Sequence, residues 1–248
     1  MFENLVAVRR DKKIYREGDK LVKLFDENYS KSNVLNEAIN QARVEETGLN
    51  IPKIREVTVI GGKWAITMDY IEGKTLEKLM EEHPEKKSEY LKLFIDVQKE
   101  IHSKKNLLLT KFIDKMTMKI LQSDLDASTR YDLSMRMAAM PRHNHVCHGD
   151  FNPSNVVVTP EGVPFVLDWS HASQGNASAD AAKTYLIFKT SGDGDTAEEY
   201  LSGFCKATEV SEEYVKEWVP LVAAAQLIKA DENKKKILMP FINGEENL

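Results

Sequence analysis

Apolar and polar residues alternate in three short runs at the start of the chain: Leu5 to Val8, Lys13 to Arg16, and Lys20 to Phe25. The turn residues "EGD" separate the last two runs, and the set predicts antiparallel strands. From Ser32 to Thr47 the period lengthens: Val34, Leu35, Ala38, Ile39 and Ala42 recur at helical spacing, with Gly48 and Pro52 as the stop. Val57 to Ile60 and Trp64 to Met68, joined by "GGK", return to the strand pattern and read as a hairpin. The first 70 residues therefore predict a sheet of about five strands with one inserted helix.

After "DYIEGKT" the pattern becomes helical, over Leu76 to Glu82, Ser88 to Ser103, Lys111 to Leu121 and Ala127 to Met140. Two short strands, Val156 to Thr159 and Pro164 to Leu167, flank the turn "PEG", and helices resume from about Ser178. The change near Glu72 and Gly73 divides the chain into an N-terminal lobe, residues 1–72, and a C-terminal lobe, residues 73–248, with a hinge over residues 69–73. The expected class is α+β, a small β-rich lobe followed by a larger, mainly helical one.

Composition narrows the function classes. The 42% hydrophobic and 29% charged residues suit a packed globular protein. A formal net charge of -5, from 34 basic and 39 acidic residues, gives no electrostatic reason to expect nucleic acid or anionic lipid as partner. The start "MFENLVAVRR" has no apolar signal core, and no run of about 18 apolar residues occurs, so no membrane span is expected. Two cysteines, Cys147 and Cys205, are too few for a disulfide framework and fit a reducing, cytoplasmic setting.

The chemistry concentrates in "HVCHGDFNPSNVVV", His145 to Val158. His148, Asp150, Asn152 and Asn155 interrupt two apolar runs, and burying such groups unpaired costs roughly 1 to 3 kcal/mol each. Asp150 and Asn155 bracket a turn containing Pro153, and Asp168 ends the strand that follows. Carboxylate and amide oxygens of this kind suit Mg²⁺ held partly by nucleotide phosphates. The spacing is that of the kinase catalytic loop, H-x-D-x-x-x-x-N, with a metal-binding Asp after a hairpin. Upstream, Lys23 interrupts the apolar strand "DKLVKLF" and demands a counter-charge, which Glu37 on the next helix can supply; Glu45 and Glu46 are its rivals.

With "HGDFNPSNVVV", "FVLDWSHAS" and "ASADAAKTYL", the chain resembles the aminoglycoside phosphotransferase and choline kinase family of small-molecule kinases. A weaker likeness in "LVKLF", "NEAINQARVEETGLNIPKI" and "TMDYIEGKTL" extends the resemblance over most of the chain. It implies a protein-kinase-like two-lobed fold and transfer of the γ-phosphate of ATP or GTP to a hydroxyl of a small molecule such as an amino sugar, amino alcohol or sugar. By the same resemblance Asp150 is the catalytic base, Asn155 and Asp168 hold Mg²⁺, and Lys23 and Glu37 order the nucleotide phosphates. The backbone of Asp69, Tyr70 and Ile71 receives the purine, and His148 and Asp180 brace the catalytic loop.

The resemblance is incomplete at two places. The family has a glycine-rich phosphate loop between the first strands, whereas "AVRRDKKIY" contains no glycine, so backbone cannot approach phosphate there as closely. Arg10, Lys12 and Lys13 are the cations available to compensate. In "GNASADAA" the family often has Asp-Pro after the glycine, and a different loop shape is expected. The glycine-free loop keeps a second reading open, a nucleotide-binding regulatory module with a kinase fold and little activity. An atypical protein kinase is a third. Only about ten residues separate Asp168 from the helix near Ser178, little room for the long segment that docks peptides in protein kinases, which favours a small acceptor.

Overall fold

The computed structural model describes residues 4–9 and 11–245 of the 248. In chain order the strands are β1 (Asn4–Arg9), β2 (Lys12–Glu17), β3 (Lys20–Phe25), β4 (Ile54–Ile60), β5 (Lys63–Asp69), β6 (Lys74–Thr75), β7 (His145–Cys147), β8 (Val156–Val158), β9 (Pro164–Val166) and β10 (Ser173–Gly175). The helices are α1 (Lys31–Glu45), α2 (Leu76–Glu82), α3 (Lys87–Ser103), α4 (Phe112–Leu121), α5 (Ala127–Ala139), α6 (Ala177–Thr190), α7 (Gly194–Thr208), α8 (Glu212–Gln226) and α9 (Glu232–Asn243). Two compact units emerge, residues 1–87 with 153–172, and residues 88–152 with 173–248. Among the described residues, no helix is long and apolar enough to cross a membrane.

The first unit is built on a five-stranded antiparallel sheet in the order β1-β2-β3-β5-β4. Its central strands bury alternate apolar residues, and Phe25, Ile66 and Met68 pack against Val34 and Ala38, which stand one turn apart on α1. Fully burying a side chain such as Phe25 contributes about 1.5 to 3 kcal/mol. Ser30 starts α1 by accepting from the Asn33 amide at 3.2 Å. The register sets Lys12 opposite Phe25 and Ile14 opposite Lys23, so the two lysines share the sheet face that α1 covers. Lys13 falls on the other face and is exposed.

A second small sheet, β6-β8-β9, belongs to the same unit. Gly73 precedes it with φ +155°, and a Cβ there would lie 2.3 Å from the Val158 carbonyl oxygen, so only glycine allows this approach. Backbone bonds from Val166 to Asn50, 2.9 Å, and from Leu167 to Asn155, 2.8 Å, tie the β8–β9 hairpin to the rest of the unit. The strand pair that the sequence pattern predicts after the loop is present, one residue shorter at each C-terminal end.

The second unit is helical and encloses the two-stranded pair β7 and β10. Helix α8 is buried almost all round, through Val215, Trp218, Val219 and Leu221 to Ala225, the pattern of a central helix. Phe94 stacks on Phe151 with centroids 4.2 Å apart, and Phe112 meets Trp218 edge-on at 6.2 Å. Three residues display no period of two, and β7 and β10, unlike β8 and β9, are not joined by a short turn, so the pattern does not predict them as strands. Gly175 pairs with His145, and a Cβ on it would lie 2.5 Å from Phe112 Cβ, so the glycine lets α4 pack closely on β10.

Candidate active site

In the first unit four charged side chains meet. Lys23 of β3 donates to Glu37 of α1, with Nζ 2.8 Å from Oε1. Lys12, at the start of β2, reaches the same carboxylate at 3.0 and 3.1 Å. Asp168, which follows β9, lies 3.5 Å from the Lys23 ammonium and 3.7 Å from that of Lys12. Lys23 and Glu37 are each only 5% exposed, whereas the Asp168 side chain is 34% exposed and forms the open side of the cluster.

Burial alone would lower the Lys23 pKa, but the Asp168 and Glu37 charges outweigh it and raise the pKa above its ordinary value, so Lys23 stays charged. Glu45 and Glu46, the rivals for this pairing by sequence, are engaged elsewhere. Glu45 instead accepts from the Ile54 amide at 2.7 Å, and Glu46 ends α1 as its C-cap.

Asp168 is held with φ +56°, in the left-handed region that a non-glycine residue seldom occupies. Asp tolerates it better than most residues. The turn that follows is anchored: Trp169 is fully buried and donates through Nε1 to the Val166 carbonyl at 3.1 Å, and Asn40 of α1 donates to the Ser170 carbonyl at 3.2 Å. Asn155 stands just before β8, and its carbonyl accepts the Leu167 amide, so the chain stretches bearing Asn155 and Asp168 run side by side.

Asp69, Tyr70 and Ile71 lie where the chain leaves β5. The Asp69 carboxylate takes the Arg55 guanidinium at 2.6 Å, the Tyr70 amide donates to the Asp19 carbonyl at 2.9 Å, and Arg16 stacks on the Tyr70 ring at 4.0 Å.

In the second unit the loop from His148 to Asn152 is held from one face of α6. Asp180, buried, accepts the amides of His148 and Gly149 at 3.0 and 2.8 Å. His102 Nε2 lies 3.1 Å from the same carboxylate, which can only accept, so Nε2 carries the proton. Burial pushes the Asp180 pKa up, but the bond and charge of His102, with His148 and the Gly149 amide, bring it below its ordinary value.

Three residues on, Lys183 donates to the Gly149 carbonyl, and Thr184 donates to the Phe151 carbonyl at 2.9 Å. Thr184 is itself held by Gln98 at 3.3 Å and Gln98 by the Tyr200 hydroxyl at 2.6 Å. Within the loop, the Asp150 amide donates to His148 Nδ1 at 3.2 Å and Asn152 donates to the Asp150 carbonyl at 2.9 Å. Gly149 has φ +78°, the one position here that needs glycine's freedom. Cys147, fully buried, has its thiol pKa pushed well up by burial and then by Asp180, so it is no thiolate nucleophile.

Sequence reasoning brought forward Lys23, Glu37 and Asp168, which do converge, and His148 and Asp180, which share one network. It missed Lys183, Thr184, His102 and Gln98. The signal available was the i, i+3, i+4 polar set Asp180, Lys183, Thr184 in an otherwise apolar helix. Of the three cations proposed to replace a glycine loop, Lys12 alone is found in the cluster; Lys13 is exposed, and Arg10 lies outside the described residues.

The antiparallel sheet carrying a buried Lys paired with a helical Glu, followed in the chain by a mainly helical unit, defines a protein-kinase-like fold. The chain belongs to the phosphotransferase enzyme family, whose model matches residues 3–217. It is similar in structure to the choline kinase LicA from Streptococcus pneumoniae, at 16% identity over 98% of this chain and 92% of that one, TM-score 0.66. It is also similar to a thermostable mutant of aminoglycoside phosphotransferase APH(4)-Ia, at 13% identity over 98% and 94%, TM-score 0.70. A third relative in structure is a choline/ethanolamine kinase family protein from Mesorhizobium loti, at 16% identity over 98% and 86%, TM-score 0.63. LicA has been solved with AMP, and the APH(4)-Ia mutant with ADP and hygromycin B. No curated protein matches the chain in sequence.

Proposed function

We propose that this family member is a Mg²⁺-dependent kinase that transfers the γ-phosphate of ATP, or of GTP, to a hydroxyl of a small molecule of the amino sugar, amino alcohol or sugar type. The observation that carries the reading is the convergence of Lys23, Glu37 and Asp168 at 2.8 to 3.5 Å. A lysine kept charged in a buried place, with one flank open to solvent through Asp168, is suited to hold phosphate oxygens. Nucleotides bound in LicA and in the APH(4)-Ia mutant support the choice of co-substrate.

In this reading residues 1–72 form the nucleotide lobe, residues 69–73 its hinge, and residues 73–248 the lobe that takes the acceptor. The backbone of Asp69, Tyr70 and Ile71 receives the purine, and Lys23, oriented by Glu37, positions the phosphates. Asn155 and Asp168 offer hard oxygen donors, the set that suits Mg²⁺ shared with a nucleotide. When bound, the ion neutralises phosphate charge. Asp150 orients the acceptor hydroxyl and takes its proton, while His148 and Asp180 keep the loop in shape. Phosphoryl transfer asks for positioning and charge neutralisation more than covalent work from the protein; the braced loop is suited to the first and the ionic cluster to the second.

The test is Mg²⁺-dependent ADP production with a panel of amino sugars, amino alcohols and sugars. The expected result is turnover with at least one acceptor, abolished in Asp150→Asn while ATP binding persists. Turnover retained in Asp150→Asn overturns the assignment of the base. ATP binding without turnover of any acceptor favours instead the regulatory module, for which the glycine-free "AVRRDKKIY" is the motivating observation.

A further inference from the structure

We propose that Lys12 is a second phosphate-binding lysine, which supplies by side-chain charge what a glycine-rich loop supplies through backbone amides. The inference rests on the kinase reading above and goes beyond it, since that reading needs only Lys23.

The connection between β1 and β2 contains no glycine, so backbone there is less suited to close approach to phosphate. The nucleotide's negative charge has to be met by another group at the same edge of the sheet. Lys12 is the first residue of β2, and its ammonium is already within the cluster, on both oxygens of Glu37 and 3.7 Å from Asp168. Its direction follows from register: facing Phe25, it lies on the face of Lys23, with its ammonium 5.6 Å from the Phe25 ring centre.

Two ammoniums and two carboxylates balance in the cluster as it stands: Lys23 neutralises Glu37 at 2.8 Å and Lys12 lies 3.7 Å from Asp168. In the kinase reading Asp168 is given over to Mg²⁺, and Lys12 is then the ammonium left over for phosphate. The two lysines also differ in freedom. The Lys12 side chain is 13% exposed against 6% for Lys23, and it enters from the strand end that adjoins the glycine-free connection. Its four-carbon stem lets the ammonium turn from Glu37 to a phosphate without movement of backbone. Glu37 then keeps Lys23 as its counter-charge, so no buried carboxylate is left unpaired when Lys12 departs.

The test uses the full chain and compares binding of ATP and of adenosine by calorimetry, in wild type, Lys12→Ala, Lys12→Met, Lys12→Arg and Lys13→Ala. Loss of a charge-assisted contact should weaken ATP about tenfold or more in Lys12→Ala and Lys12→Met. Adenosine, which has no phosphate, should bind these variants as it binds wild type. Lys12→Arg should recover part of the ATP affinity, and Lys13→Ala should match wild type, because Lys13 is on the exposed face. In turnover the KM for ATP should rise more than kcat falls.

Lys12→Met keeps most of the aliphatic stem over Phe25, so its result stands if Lys12→Ala is poorly folded. An unchanged ratio of ATP to adenosine affinity in Lys12→Met overturns the inference and leaves the kinase reading intact. A wild-type chain that binds no ATP overturns both.

Discussion

The ionic cluster on the sheet and the brace around the His148 loop solve different problems with similar residue types. On the sheet, Lys12, Lys23, Glu37 and Asp168 pair side chain with side chain, and the assembly is open along Asp168. Around the loop, Asp180, Lys183 and Thr184 are buried and bond to backbone at His148, Gly149 and Phe151, with His102 and Gln98 holding Asp180 and Thr184 from behind. Side-chain pairs can exchange partners when a charged ligand arrives. A backbone held at successive amides and carbonyls cannot shift without losing several bonds together. The difference teaches that one region is built to be re-paired and the other to stay still.

Breaking the shared centre of each region gives the sharpest contrasts. Glu37→Ala leaves the buried Lys23 ammonium without its 2.8 Å partner and should have the largest effect, a loss of about 3 to 5 kcal/mol in denaturant unfolding. Asp180→Asn removes one of two acceptor oxygens and the charge opposite His102, and should cost about 2 to 3 kcal/mol in the same measurement. Thr184→Val deletes two neutral bonds, to the Phe151 carbonyl and from the Gln98 amide, and about 1 to 2 kcal/mol is expected. Asp168→Asn should change stability by less than about 1 kcal/mol, since its side chain is partly exposed and Asn also accepts the left-handed backbone. In the kinase reading that same variant loses turnover, so an Asp168→Asn protein with wild-type activity would count against the assignment of Asp168.

Acid and alkali should separate the two regions as well. Asp180 titrates below its ordinary 3.8, so its contribution is present above pH 3.8 and is lost as pH falls through the lowered folded value. Lys23 titrates above its ordinary 10.5, so its contribution is present below pH 10.5 and is lost as pH rises through the raised folded value. Stability profiles should therefore lose their acid limb selectively in Asp180→Asn and their alkaline limb in Lys23→Met. A wild-type acid limb in Asp180→Asn would remove the brace from the account of acid unfolding.

Much of this is legible in the sequence alone. The alternation in β2, β3 and β5 and the stripe Val34, Ala38 on α1 are local patterns, and local patterns survive in a sequence. Lys23 was legible because a charge inside an apolar strand must have a partner, and Glu37 because it stands on the neighbouring helix. Strands β6, β7 and β10 were not, at two or three residues each; they exist through pairing with distant segments. His102 and Gln98 were illegible for the same reason, lying 78 and 86 residues from Asp180 and Thr184.

The chain's own pattern thus settles the longer strands and the helices, where the turn residues fall, and that a His, Asp and Asn motif interrupts an apolar run. Pairing settles the rest. Whether Lys12 or Lys13 joins the cluster depends on which sheet face α1 covers, a matter of one residue in register, and which of three glutamates meets Lys23 depends on the rotation of α1 against the sheet. Both are decided by burial of Phe25, Ile66 and Met68 against Val34 and Ala38, because apolar area removed from water outweighs the local preference of any single charged residue.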